Sequence, residues 1–394
     1  MNSVKVGVDV DVLCNELPQY NYSFSNIKTY DSRVLQYDLF FKEHMMQNLP
    51  CIIKNISHSW LCSNKWVKNG TINCDYFVTQ YGDIDAPVAD CDSITFNSHC
   101  KINMKVIDYM NYLKNKNKDK LLYLKDWHLK RIVPDYNFYE VPEFFASDWL
   151  NEFASDFQDD DFMFVYIGPE GTWTPFHADV YTSYSWSVNV VGRKKWILLP
   201  PGEEEKIKDS LGNLPLLFNA ENHDDVKYFE IIQEKGDGIF VPSGWHHQVF
   251  NLLDTISVNH NFINACNIEI VWKSLQNNLI SVEHEIEEFK NTPEFTSQCQ
   301  LILKSVFGMD FEAFIKFITH IAQKRLNSIK GDFPLLFNRY YFKRNHVIFD
   351  LCQLRKVITL IQNHPIITEL TLSNGIISKL LNIKSAINKI LQLD

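Results

Sequence analysis

Residues 183–192, S-Y-S-W-S-V-N-V-V-G, alternate polar and apolar positions almost without a break. A strand here puts Ser185, Ser187 and Asn189 on one face and the apolar residues on the other. Similar short runs surround it, at 162–168, 195–199, 228–233, 239–242, 245–251 and 255–262, with Gly, Pro, Asn and Asp gathered between them. Short strands with regular turns and no helical period between them predict a barrel or jelly roll.

Upstream, apolar residues fall at helical spacing from Tyr37 to Met46, Asn48-Leu-Pro50 stops that helix, and residues 51–54 read as a short strand. Residues 1–30 are a weakly patterned, extended lead-in, Trp60 and Trp66 read as core, and 121–128 is a further strand candidate. After Asn264 the period changes. Residues 268–289, 311–326, 347–361 and 376–391 carry apolar positions at i, i+3 and i+4, which predicts helices. The expected fold is a mainly β core with N-terminal α/β elements and a helical C-terminal segment, divided as 1–122, 123–264 and 265–394. The last segment would pack on itself, on the barrel or on a second copy of the chain.

The net charge of −10 argues against a nucleic-acid partner, which needs a basic footprint. The K-N-K-N-K-D-K run at 114–120 reads as a solvated loop, and the acidic stretch at 156–161 as a surface turn. Asp9, Asp11 and Glu16 interrupt the first apolar residues, so no signal peptide is expected, and no apolar run is long enough to span a bilayer. The 9 cysteines are odd in number and form no CxxC pair, which predicts reduced thiols and a cytoplasmic or nuclear location. The spacing of Cys74, Cys91 and Cys100 fits no zinc finger, and N-I-K-S at 382–385 reads as helix surface.

The chemistry concentrates in T-W-T-P-F-H-A-D, residues 172–179. In extended chain His177 and Asp179 project to the same side, and an imidazole with a carboxylate forms most of a facial non-haem iron site. A third ligand is offered by G-D-G-I-F-V-P-S-G-W-H-H-Q-V, residues 236–249. His247 shares a face with Trp245 and Val249 and is preferred over His246. A facial triad leaves positions for a bidentate co-substrate and O₂. If that co-substrate is a 2-oxo acid ending in a carboxylate, Lys194 is the candidate cation and Thr174 a candidate hydroxyl donor. Set against these roles, Lys194 reads equally as a surface lysine and Thr174 as an ordinary strand threonine.

Together T-x-x-H-x-D, G-x-K-x-W and G-D-x-x-F-V-P-x-x-W-x-H-x-V-x-N resemble the JmjC-domain oxygenases over roughly residues 123–264. The resemblance implies a cupin-like double-stranded β-helix and an Fe(II)- and 2-oxoglutarate-dependent dioxygenase. Its metal ligands fall on His177, Asp179 and His247, and its co-substrate lysine on Lys194. Assisting hydroxyls fall on Thr174 and Tyr123, and polar positions near the iron on Ser187 and Asn259. Y-L-K-D-W-H and S-Y-S-W-S-V-N are most like one branch of the family, which implies lysyl C4 hydroxylation of the eukaryotic translation termination factor at its N-I-K-S motif. Histone lysine demethylation and a catalytically silent binding module are the alternatives. The chain lacks a chromatin-reader zinc cluster, which weighs against the first, and its intact triad weighs against the second.

Overall fold

The computed structural model describes residues 6–11, 17–18, 20, 22, 26–95, 98–115, 119–157, 160–331, 336–365, 367 and 375–392. The alternating stretch forms the strand Tyr184–Val191, paired antiparallel with Gly238–Val241 on one side and Thr255–Phe262 on the other. Its apolar face, Tyr184, Trp186, Val188 and Val190, is buried in the main core. There Trp186 stacks on Phe145 at 5.2 Å. The polar face meets a second polar row: Ser185 lies opposite Asn261, Ser187 opposite Asn259, and Asn189 opposite Ser257. Alternation usually marks one solvated face of a sheet. Here the polar face lines the inside of the jelly roll.

This strand sits within a nine-stranded sheet. The order is Lys28–Asp31, Cys51–Lys54, Gly238–Val241, Tyr184–Val191, Thr255–Phe262, Met163–Gly168, Leu122–Trp127, Asp85–Thr95 and Ser98–Lys105. Across the interior lies a four-stranded antiparallel sheet, ordered Trp173–His177, His246–Asn251, Lys194–Leu199 and Phe229–Gln233. Its inner apolar residues, among them Trp196, Phe229 and Val249, join Trp245 in a second buried cluster. Phe176, Ile197 and Leu199 point outward, under Phe218 and Val226 from the following loop. The fold is the predicted cupin-like jelly roll, with helices added at both ends.

Several elements carry no clear period in the sequence. The Ser98–Lys105 strand is an edge strand with mostly exposed side chains, so it lacks the apolar repeat that would announce it. The helices Cys74–Tyr81, Val106–Lys114 and Trp149–Phe157 are too short to display one. Lys114 ends the second of these and pairs with Asp75, while Lys120 pairs with Asp90; residues 116–118 of the basic run lie outside the described residues. The acidic 156–161 stretch is not simply a surface turn, because Asp161 is buried and holds His128 Nδ1 at 2.6 Å.

Among the described residues the C-terminal helices include Ile268–Glu285, Phe295–Phe307, Phe311–Lys330, Arg344–Gln362 and Ile376–Leu391. The expected 268–289 helix breaks at Ile286, where φ −116° and ψ 26° leave the helical region. Phe295–Phe307 and the Leu336–Phe337 and Tyr340–Phe342 strands are additional elements, and the last of these pairs with Val6–Val8. Arg325 fastens the helices to the core: fully buried, it binds Glu152 at 2.8 Å and Asp350 at 2.8 Å. N-I-K-S lies in the final helix, with Ile383 turned inward. Cys51, Cys62, Cys74, Cys91, Cys100, Cys266 and Cys299 are free thiols, whereas Cys352 is disulfide-bonded, contrary to the expectation of reduced thiols throughout. Among the described residues no helix is long and apolar enough to cross a membrane.

Candidate metal centre

Proline has no N–H to give a ladder, and Pro175 interrupts the Trp173–His177 strand just before the site. Thr174 pairs with Val249, but three residues later His177 pairs with His247, so an extra residue bulges out here. The bulge turns the end of the strand toward the interior. Asp179 lies past the last paired residue but keeps an extended conformation, φ −65° and ψ 149°, so His177 and Asp179 still converge. The ligand atoms of His177, Asp179 and His247 all lie within 4.8 Å of one another. Among the described residues they form the one such group of His, Cys, Asp or Glu.

Both imidazoles are oriented by the same device. His177 Nδ1 lies 2.8 Å from the carbonyl of Pro175, and His247 Nδ1 lies 3.0 Å from that of Trp245. A carbonyl only accepts, so each Nδ1 carries the proton and each Nε2 presents a lone pair. The rings are 4.4 Å apart. Burial, and then His247, push the His177 imidazole down to about 3, which keeps it neutral and able to ligate. Asp179 is held on both oxygens: Ser185 Oγ donates to Oδ2 at 2.7 Å and Asn261 Nδ2 to Oδ1 at 2.9 Å. Because Ser185 and Asn261 are cross-strand partners, the β-ladder itself sets the carboxylate's orientation. Two lone pairs and one anchored carboxylate suit a divalent iron, and the residues fit the ion the motifs imply. His246 points the other way, stacked on Phe176 at 5.4 Å, and Glu204 is 3.8 Å from its Nδ1.

Beside the triad opens a cavity of about 230 Å³, lined by residues of both sheets. Lys194 lies in its wall, buried, and its ammonium donates to Ser257 Oγ at 2.7 Å. Burial, and then the charge of Lys125, push the Lys194 ammonium down to about 7. Thr174, Tyr123, Ser187 and Asn259 all line the same cavity. Among the described residues Ser187 Oγ is buried without a hydrogen-bond partner, and such a group is costly unless a ligand satisfies it. Burial pushes the Tyr123 phenol well above its usual value, so it stays a neutral donor. The cavity therefore gathers every site residue expected from the sequence.

Further groups not expected from the sequence support the cavity, Ser185 and Asn261 in its lining and Ser257 buried behind Lys194. Ser185 and Asn261 hold Asp179, and Ser257 holds Lys194. Their signal was the second alternating row, S-V-N-H-N at 257–261, whose polar positions face those of 185–189. Lys125, Asp126 and Tyr166 also line the cavity. The first two are adjacent, and no period-two reading would aim both inward.

Comparison with known proteins agrees with this geometry. A family model described as a cupin-like domain matches residues 37–268. The chain is 41% identical to the 2-oxoglutarate and iron-dependent oxygenase JMJD4 homolog of Drosophila melanogaster, over 84% of this chain and 87% of that protein. It is 43% identical to the 2-oxoglutarate and iron-dependent oxygenase JMJD4 of Homo sapiens, over 73% of each. It is 36% identical to the arginine-specific demethylase JMJ20 of Arabidopsis thaliana, over 75% of this chain and 70% of that protein.

Proposed function

Because the chain belongs to the cupin-like JmjC family of 2-oxoglutarate- and iron-dependent oxygenases, we propose that it is a protein hydroxylase acting on the translation termination factor. The target is the lysine of that factor's N-I-K-S motif, oxidised at C4, and the work is cytoplasmic. The observation that carries the oxygenase chemistry is the pair of locked imidazoles, both Nε2 atoms free and converging with Asp179 beside the buried Lys194. The choice of substrate is supported by the likeness of Y-L-K-D-W-H and S-Y-S-W-S-V-N to one branch of the family.

Iron held by His177, Asp179 and His247 supplies, when bound, the activation of O₂ coupled to decarboxylation of 2-oxoglutarate to succinate. The chain's own residues bind and orient. Lys194, backed by Ser257, takes the far carboxylate of the co-substrate, with the Thr174 and Tyr123 hydroxyls as further donors. Ser187 and Asn259 offer polar atoms from the facing strands, and Ser187 Oγ gains the partner it lacks. Trp196 and Val249 keep the wall apolar and limit water.

A second reading, demethylation, is favoured by the Arabidopsis relative named for that activity. Hydroxylation at an N-methyl carbon would then release formaldehyde. Intact mass spectrometry of the termination factor, incubated with Fe(II), 2-oxoglutarate and enzyme, separates the two. One added oxygen mass on the N-I-K-S lysine, lost with Asp179→Ala, is the expected result. No added oxygen, with a methyl group lost from a methylated peptide instead, would replace hydroxylation by demethylation.

A further inference from the structure

The strand Leu122–Trp127 borders the cavity and breaks its own register there. Leu124 lies opposite Ile167, but Trp127 lies opposite Val165, so one extra residue is looped out between them. Asp126 carries the distortion in the left-handed region at φ 59°. A regular strand would send Lys125 and Asp126 to opposite faces. The bulge sends both, with Tyr123, to the cavity wall.

Asp126 favours the charge of its neighbour but makes no direct ion pair with it. Its Oδ1 accepts from the Tyr166 hydroxyl at 2.6 Å and its Oδ2 from Lys101 at 2.5 Å. Both oxygens are therefore engaged, and Lys125 Nζ has no hydrogen-bond or ion-pair partner among the described residues. The ring of Tyr166 relates the two cavity lysines, since Lys125 Nζ and Lys194 Nζ each lie 5.8 Å from its centroid. Lys125 lines this cavity together with the metal ligands His177, Asp179 and His247. One cavity thus presents two ammonium groups, one donating to Ser257 and the other with no hydrogen-bond or ion-pair partner among the described residues. A dicarboxylate is the ligand that satisfies two cations.

We propose that the Lys125–Asp126 bulge is a second anion-holding element, in which Lys125 pairs with the 2-oxo-acid carboxylate of the co-substrate while Lys194 takes the far one. Asp126, pinned by Tyr166 and Lys101, is the positioning residue that holds the bulge open. The inference rests on the co-substrate being a 2-oxo dicarboxylate and is independent of which protein is oxidised.

The test is calorimetric titration of the Mn(II)-loaded full chain with 2-oxoglutarate and with 2-oxobutyrate, which keeps the 2-oxo-acid end and lacks the far carboxylate. Lys125→Met is expected to weaken both acids by about tenfold or more, the worth of a charge-assisted hydrogen bond, with Lys125→Arg recovering part of the loss. Lys194→Met is expected to weaken 2-oxoglutarate alone. Unchanged affinity for both acids in Lys125→Met, with circular dichroism and Mn(II) binding as in the wild type, would overturn the proposal. So would a loss confined to 2-oxoglutarate, which would put Lys125 at the far carboxylate. Should Lys125→Met fail to fold, Lys125→Gln carries the same comparison. A wild-type chain that holds Mn(II) and binds neither acid would overturn the oxygenase reading as well. A wild-type chain that binds both acids but leaves the termination factor unmodified would remove only the substrate assignment, and the two lysine variants would still decide the role of Lys125.

Discussion

His177 and His247 are cross-strand partners whose Nδ1 atoms both turn back to the carbonyl two residues earlier, so one local arrangement fixes both tautomers. His246, next in sequence to one of them, takes no part in this arrangement and packs against Phe176. His247→Ala should therefore weaken Mn(II) or Co(II) binding by more than the roughly tenfold to hundredfold typical of losing an outer hydrogen-bond partner. His246→Ala should leave metal affinity close to wild type. Isothermal titration of both variants decides it; equal losses would mean that the two histidines share the role.

Asp179 depends on donors from two neighbouring strands. Asn261→Ala removes the donor to Oδ1 and Ser185→Ala the donor to Oδ2. Each is expected to lower metal affinity by about tenfold, with little change in fold, because the other donor still restrains the carboxylate. The double variant should lose more than either alone. Metal affinity unchanged in the double variant would show that the ladder does not orient Asp179.

Much of this site was legible because its residues sit on strands, where a two-residue period reveals which side chains share a face. H-x-D, G-x-K-x-W and the polar row 185–189 each place a group by simple alternation. What escaped was created by pairing and by bulges. Ser257 and Asn261 matter because their strand lies against Tyr184–Val191, a neighbour relation that sequence separation hides. Lys125 and Asp126 both reach the cavity through an irregular register and a left-handed aspartate, neither of which has a periodic signature. The hairpin at 85–105 was not visible because its edge strand is mostly exposed and its inner strand buries a continuous run, Val88 to Cys91, instead of alternating.

Lys194 should make the metal-free protein's stability depend on pH. An unfolded lysine titrates near ~10.4, whereas burial, and then Lys125, push the folded Lys194 down to about 7. Below pH 7 both states hold the proton, and the folded state bears the whole cost of a buried charge. Between the two values the unfolded chain holds more protons, so this contribution to stability rises with pH. Lys194→Met removes the cost and should raise the melting temperature more at pH 6 than at pH 9. Scanning calorimetry at the two values tests it, and an equal shift at both would show that Lys194 is charged when folded throughout.

Arg325 should be far less replaceable. It is fully buried between Glu152 and Asp350, and His346 lies 3.4 Å from the second of these. Burial opposes the charge on Asp350, but His346 and Arg325 hold its carboxyl below the usual range. Arg325→Leu keeps bulk but leaves buried Glu152 to Lys324 and buried Asp350 to His346, a loss of about 3–5 kcal/mol for breaking one side of a buried ionic group. Urea unfolding should show it. A variant as stable as wild type would mean that the two acids take up protons or water without cost.

The C-terminal helices contact the turn that follows Asp179. Directly after Asp179, Tyr181 and Thr182 both adopt left-handed conformations, φ 56° and 53°. The Thr182 hydroxyl donates to Ser274 at 2.6 Å, and the Tyr181 ring packs on Phe162, Phe307 and the Cα of Gly308. Consecutive left-handed residues without glycine are unfavourable alone, so these contacts maintain the turn and with it the approach of Asp179. Gly308 ends the Phe295–Phe307 helix at φ +90°, and a Cβ there would sit 2.8 Å from the Tyr181 ring. Gly331 is the matched control: it ends Phe311–Lys330 at φ +84°, with nothing within 4 Å of a Cβ. Both Gly308→Ala and Gly331→Ala should lose about 1 kcal/mol or more of stability, because alanine is strained at positive φ. Gly308→Ala alone should also weaken Mn(II) binding, since it displaces Tyr181. If both alanines bind Mn(II) as the wild type does, the helices stabilise the fold without positioning the ligand. If only Gly308→Ala loses affinity, the helical segment is part of what holds Asp179 in place.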